Sequence, residues 1–257
     1  MVNATFSTRE YAGYITIERE EKLNAVDSET KQAIIEQIEQ YQNDDAVRVV
    51  VLQSAGDRAF SAGGDIQEIP DVDYSLEYFT ESWDKLFRTM RNVGLPVVAK
   101  IDGLTLGGGF DLMLHADFAI AANDAQIGQP EVDLGIVNHF SPPKLLQQVG
   151  LRKTMELMLT GETISGSKAA EIGLVTRSVP TDELDSEVAD LVETLANKNP
   201  RTIKQLKEGI YASANMAPDA AKAHLEQISL TNAREHDDYR EGVDAQLEDR
   251  DPSWTIE

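Results

Sequence analysis

The chain has no cysteine. Disulfides, thiolate nucleophiles and cysteine-based metal sites are therefore excluded. Histidine is scarce too. His115, His139, His224 and His236 are scattered and show no zinc-ligand spacing, so no metal site is expected. No apolar run nears the ~20 residues of a membrane span. Met1-Val2-Asn3-Ala4-Thr5 has neither a basic stretch nor an apolar one, so a cytoplasmic location is expected. Positive charge is in short supply. Lys plus Arg number 23 against 45 Asp plus Glu, a formal net charge of −22. Such a surface argues against a nucleic-acid partner, because phosphate binding needs basic patches. The acids are spread along the whole chain. They read as adaptation to molar salt inside the cell, where screening makes self-repulsion cheap.

What remains is a foldable core. Hydrophobic residues make up 41% of 257, which suits one large domain or one domain with a helical addition. Tyr14–Ile17 alternates like a strand. Residues 28–43 carry Ala33, Ile34, Ile38 and Tyr41 on one helical face, with Ser28 as N-cap or early-turn residue. Residues 47–52 and 96–101 read as buried strands. Residues 74–91 read as a helix with Phe79, Trp83, Leu86, Phe87 and Met90 on an apolar stripe. Residues 107–115 open a further helix, 117–121 a strand. Residues 125–131 read as extended, with Pro130 set against helix. Strands alternating with helices predict an α/β core with parallel pairing over 1–180. From 181 to 257 the pattern is almost wholly helical, with Pro200 and Pro218 as breaks.

Two glycine-rich turns stand out: Ala62-Gly63-Gly64-Asp65 and Gly107-Gly108-Gly109-Phe110-Asp111. Each follows a β-branched run and runs toward a helical pattern, which leaves backbone N–H groups free. Either alone reads as a tight turn that tolerates φ > 0. Together, Gly64 and Gly108 offer two donors to one oxygen, as an oxyanion intermediate requires. Asp65 is expected to cap the following helix. Asp111 lies in a first helical turn, where an acid commonly answers the helix dipole. Glu131 sits between Ile127 and Val132; it reads either as an exposed loop acid, one of 45 acids, or as a general acid or base whose pKa burial would raise. Ser61 has no evident base. His139 reads as a wall residue or a third catalytic group. No turn fits a Walker loop or G-x-G-x-x-G.

The ordered set of segments resembles the enoyl-CoA hydratase/isomerase (crotonase) superfamily. Its carriers are Lys22-Leu23-Asn24-Ala25, residues 59–65, Pro96-Val97-Val98-Ala99 with Asp102-Gly103, and residues 106–112. Ala116-Asp117-Phe118, Gly128-Gln129-Pro130-Glu131, Leu134-Gly135, residues 159–161, residues 169–175 and Glu241-Gly242 continue it. The resemblance implies a spiral of β-β-α units followed by a C-terminal helical trimerisation region. It implies a homotrimer or dimer of trimers, and an acyl-CoA thioester as substrate with no separate cofactor. The family's oxyanion amides fall on Gly64 and Gly108, its acidic positions on Asp111 and Glu131. Ala62 falls beside the CoA moiety. Lys22, Arg58 and Lys144 are candidates to meet CoA phosphates.

The chain departs from the family's hydratases at one acid. They carry glutamate at both positions, whereas Asp111 is a methylene shorter. The Asp111–Glu131 pair is similar to the dienoyl-CoA isomerase branch, whose further aspartate falls on His139. Residues 136–143, Ile-Val-Asn-His-Phe-Ser-Pro-Pro, replace a Pro-Gly-rich stretch. A water held by Asp111 and Glu131 means hydration of a 2-enoyl-CoA. A dry pocket with Glu131 shuttling a proton means enoyl- or dienoyl-CoA isomerisation. An acyl-CoA-binding protein without chemistry is the third reading.

Overall fold

The computed structural model describes residues 2–254. In chain order the first elements are β1 (Ala4–Arg9), β2 (Ala12–Ile17), α1 (Ser28–Gln42), β3 (Val49–Ser54), β4 (Ala59–Ser61), α2 (Glu68–Asp71) and α3 (Leu76–Asn92). Next come β5 (Val97–Ile101), β6 (Leu104–Leu106), α4 (Gly108–His115), β7 (Phe118–Ala122) and β8 (Gln126–Gly128). Then follow α5 (Ser141–Gln148), α6 (Gly150–Thr160), β9 (Ile164–Ser165), α7 (Gly166–Glu171) and β10 (Arg177–Val179). The helices α8 (Leu184–Ala196), α9 (Pro200–Ser213), α10 (Pro218–Glu235) and α11 (Asp238–Leu247) complete the chain.

The strands form two sheets. The larger runs β1-β2-β3-β5-β7-β10, and the smaller runs β4-β6-β8-β9. After β1 and β2, which both lie in the large sheet, the units starting at β3, β5 and β7 each place one strand in the large sheet, the next in the small sheet, and then a helix. This is the spiral of β-β-α units that the family resemblance implies. Val49, Val50, Val51 and Leu52 of β3 are buried on both faces, as a parallel strand between layers requires. Within the small sheet, β4 pairs parallel with β6 and β6 with β8. Their C-terminal ends therefore lie side by side. The residues just beyond them, near 63, 107 and 129, emerge at one edge.

Two local expectations need correction, and two further points of local structure are added. β1 was not legible, because its side chains are mostly exposed and polar. Ser28 is the early-turn residue, the first of α1, and Asp27 is the cap: its side chain accepts from the Thr30 N–H at 2.8 Å. Pro130 does not oppose a helix but starts one, heading a 3-10 turn over Pro130–Leu134, where its missing N–H is not needed. Asp65 caps no helix. The next one, α2, has four residues and no side-chain cap. Asp65 instead pairs with Arg19 at 2.8 Å and Lys22 at 3.4 Å, and accepts from the Gln67 N–H at 3.0 Å.

The C-terminal helices differ in how they pack. Leu184, Val188, Leu191 and Val192 of α8 join the main hydrophobic core. Among its described residues α10 buries none. Lys207 of α9 reaches back to donate to the Met90 and Leu95 carbonyls, each at 2.9 Å, and pairs with Asp117 at 2.7 Å.

Candidate active site

The two glycine turns converge. Gly107 has φ of +56°, a conformation that residues with a Cβ rarely adopt. It delivers Gly108 to the start of α4. A Cβ on Gly108 would lie 2.6 Å from Trp83 Cζ2 and 3.2 Å from the Gly64 nitrogen. With ordinary bond lengths the two amide nitrogens are then no more than about 6 Å apart. One oxygen accepting from both at ~2.9 Å fits that spacing. Val26 bridges this turn by donating to the Gly63 carbonyl and accepting from the Asp65 N–H. The Gly64 N–H takes no part in that bridge. Among the described residues, no backbone acceptor outside regular helices and strands is found for the Gly64 or Gly108 N–H. Only Gly108 opens a helix; the first turn does not, contrary to the reading from sequence.

Behind the amides is a narrow cavity of about 120 Å³. Ala62, Phe79, Trp83, Asp111, Glu131 and Asn138 are among its walls. Asp111 and Glu131 share it but differ in setting. Asp111 is 2% exposed. Its Oδ1 accepts from Ser141 Oγ and from Gln129 Nε2 at 3.3 Å, and its Oδ2 accepts from Asn138 Nδ2 at 2.9 Å. Burial pushes its pKa up to about 7; the Ser141 and Asn138 bonds pull it down, and the nearby Glu131 charge adds to the rise. Glu131 follows β8 in the Pro130–Leu134 turn. Its Oε1 accepts from the same Asn138 amide at 3.3 Å. Its Oε2 is out of solvent and accepts no hydrogen bond among the described residues. Burial also raises the Glu131 pKa, and the Asn138 bond opposes the rise. A Cβ on Gly107 would meet Glu131 Oε1 at 3.2 Å, so this carboxylate stands beside the amide pair.

Three residues of this network had no role in the sequence reading: Asn138, Gln129 and Ser141. Asn138 ties the two carboxylates together, and its own Oδ1 accepts from the Phe140 and Ser141 N–H groups at 2.9 Å each. That turn aims its amide inward. Gln129 Nε2 donates to Ser141 Oγ at 2.8 Å as well as to Asp111. His139 lines the cavity but stacks on Phe140, ring centroids 4.1 Å apart. Among the described residues it makes no hydrogen bond to either carboxylate, so it stands as a wall residue. Ser61 donates to the Asn24 carbonyl and is structural.

The phosphate candidates lie outside the cavity lining. Lys22 donates to Gln67 Oε1 at 2.5 Å beside its pairing with Asp65. Arg58 is exposed in the loop before β4. Lys144 turns inward to donate to the Leu114 carbonyl at 3.1 Å, and burial lowers its pKa to about 8.

The family model for enoyl-CoA hydratase/isomerase matches residues 8–257. A short-chain-enoyl-CoA hydratase of Clostridium acetobutylicum is 31% identical over 239 residues, 92% of this chain and 91% of that protein. A carnitinyl-CoA dehydratase of Salmonella paratyphi A is 32% identical over 255 residues, 93% of each. The crystal structure of an enoyl-CoA hydratase from Bacillus anthracis superposes with a TM-score of 0.94 at 27% identity, covering 99% of this chain and 100% of that one.

Proposed function

The chain belongs to the enoyl-CoA hydratase/isomerase family, and from that premise we propose that it hydrates 2-enoyl-CoA thioesters to 3-hydroxyacyl-CoA. The observation that carries the reading is the unpartnered Oε2 of Glu131 beside the Gly64 and Gly108 amides. The thioester oxygen accepts from both amides. Water attacks C3 and gives its proton to Glu131. The C2=C3 electrons move onto the thioester oxygen, where the amides stabilise the enolate; each such donor contributes about 3 kcal/mol. Collapse of the enolate takes the proton from Glu131 at C2, so water is added across the double bond. Asp111 has both oxygens engaged and acts as partner rather than proton carrier. Through Asn138 it fixes Glu131 and the water. The Clostridium and Salmonella relatives are named for hydration and dehydration of CoA thioesters, which favours this reading.

The single free carboxylate oxygen also suits a proton shuttle between C2 and C4, which makes isomerisation the second reading. Crotonyl-CoA separates them. Loss of the conjugated enoyl absorbance is expected. No loss, together with turnover of a 3-enoyl-CoA, would replace hydration by isomerisation.

Ala62, at the cavity wall, runs along the CoA arm in this reading. Lys22 and Arg58, both outside the cavity, are the cations offered to its phosphates. The protein works in the cytoplasm as a homotrimer or dimer of trimers, with residues 181–257 as the assembling region. Leu206, Ile210, Leu230 and Leu247 on α9, α10 and α11 are about half exposed or more, which supports burial against other copies. Light scattering after gel filtration tests this: a 28.3 kDa monomer would overturn it. The charge of −22 supports function at molar salt. Greater stability without KCl than with it would contradict that.

A further inference from the structure

Lys31 of α1 is 0% exposed, on a helical face otherwise built from Ile34, Ile35 and Ile38. Its Nζ has no hydrogen-bond partner among the described residues. A buried ammonium in that state is strongly disfavoured unless something else attracts it. What faces it is aromatic. Nζ lies 4.7 Å from the Trp83 ring centroid and 5.1 Å from that of Phe79, both on α3. At that range the ring quadrupoles attract the cation, and the attraction grows with desolvation.

The same two rings line the cavity. Trp83 is wedged against Gly108 and Phe79 against Gly64: a Cβ on either glycine would come within 2.6 Å of the corresponding ring. A path of direct contact therefore runs from the ammonium through each ring to one amide. We infer that Lys31 is a positioning residue for the oxyanion pair, its charge holding the Phe79 and Trp83 rings in the places that set the Gly64 and Gly108 amides. The kinetic part of this rests on the thioester reading above; the ring part does not.

The charge is removable in an accessible range, because burial lowers the Lys31 pKa to about 8. The acids that oppose the shift are Glu68 of α2 and Asp27 at the head of α1. Neither is within ion-pair distance of Nζ. Glu68 accepts from the Ser28 N–H and Oγ, and Asp27 from the Thr30 N–H and Asn3 Nδ2. From α3 only the two rings meet the ammonium. His115 stacks on Phe87, which stacks on Trp83, but its pKa is near 3 and it is silent above pH 6.

The chain has two tryptophans, so Trp254→Phe leaves Trp83 as the only indole emitter. In that background, emission and the kcat and KM for crotonyl-CoA are followed from pH 6.5 to 10. Trp83 emission should titrate with a midpoint near 8, and kcat should fall about 10-fold across the same step with less change in KM. Lys31→Met should lose the emission step near 8, leaving at most the Asp111 step near 7, and should give the low kcat already at pH 7. Lys31→Arg stays charged and should hold the acidic plateau to pH 10. Flat emission in the Trp254→Phe protein, or a Lys31→Met enzyme with undiminished kcat at pH 7, would overturn the inference. If no CoA thioester is turned over, the hydratase reading fails, and the emission titration still decides whether the Lys31 charge governs the ring.

Discussion

The two ends of the cavity hold the same functional group under opposite conditions. At the Asp111 end, three side chains from β8's exit and the 136–141 loop engage both oxygens of the carboxyl. At the Glu131 end, one amide holds one oxygen and leaves the other free. Burial alone raises both pKa values, so burial does not distinguish them. The number of oxygens engaged does. The carboxyl held on both oxygens is fixed in place, and the one with a whole oxygen unpartnered is open to exchange a proton with a substrate. The difference assigns unequal work to two groups that look equivalent in sequence.

The sharpest break is Glu131→Gln. It keeps the shape and removes the proton carrier, so kcat should fall about 10³-fold with KM little changed, read in steady-state kinetics. Asn138→Ala removes the tie between the two ends. A loss of about 30-fold in kcat is expected, with a near-normal KM, because the carboxylate is displaced rather than lost. Asp111→Asn should cost less, about 10-fold, since in the proposed reaction this group positions rather than carries the transferred proton. A loss as large as that of Glu131→Gln would overturn the division of labour. The same variant tests the pKa. Asp111 titrates near 7 in the folded chain and near 3.8 unfolded, so the folded state binds the extra proton between those values. That stabilisation is present at low pH and is lost as pH rises through 7. The urea midpoint of the parent should therefore decline relative to Asp111→Asn between pH 5 and 8. His139→Ala should be the mildest, within about 2-fold in kcat/KM, because that ring is exposed and rests on Phe140.

The glycine turns were legible because only glycine meets their backbone and steric demands; alternating strands and helices gave the α/β core with parallel pairing, and the spiral came only from the family resemblance. The acids at 111 and 131 were singled out by their place in the family pattern, since the chain has 45 acids. Asn138, Gln129 and Ser141 carried no signal. Amides and hydroxyls are common, and their role arises only when α4, the end of β8 and the start of α5 meet. Lys31 was hidden for a different reason. Periodicity placed Ala33 with Ile34, Ile38 and Tyr41 and passed over the lysine, whereas the core takes Lys31 and Ile35 and leaves Ala33 half-buried. Helical periodicity sees apolarity, and it misses a cation that aromatic faces accept.

The order of the large sheet has a kinetic consequence. Along β1-β2-β3-β5-β7-β10 every neighbour is later in the chain than the one before. The sheet can therefore lengthen strand by strand as the chain leaves the ribosome, each new strand docking on an edge already formed. The last strand, β10, closes on β7 across more than fifty residues, and Lys207 then reaches back to the carbonyls of Met90 and Leu95. Such long-range closures are slow. A nascent chain halted before α9 would already hold both glycine turns and both acids, yet lack that late clasp beneath the end of α3, the helix that carries Phe79 and Trp83.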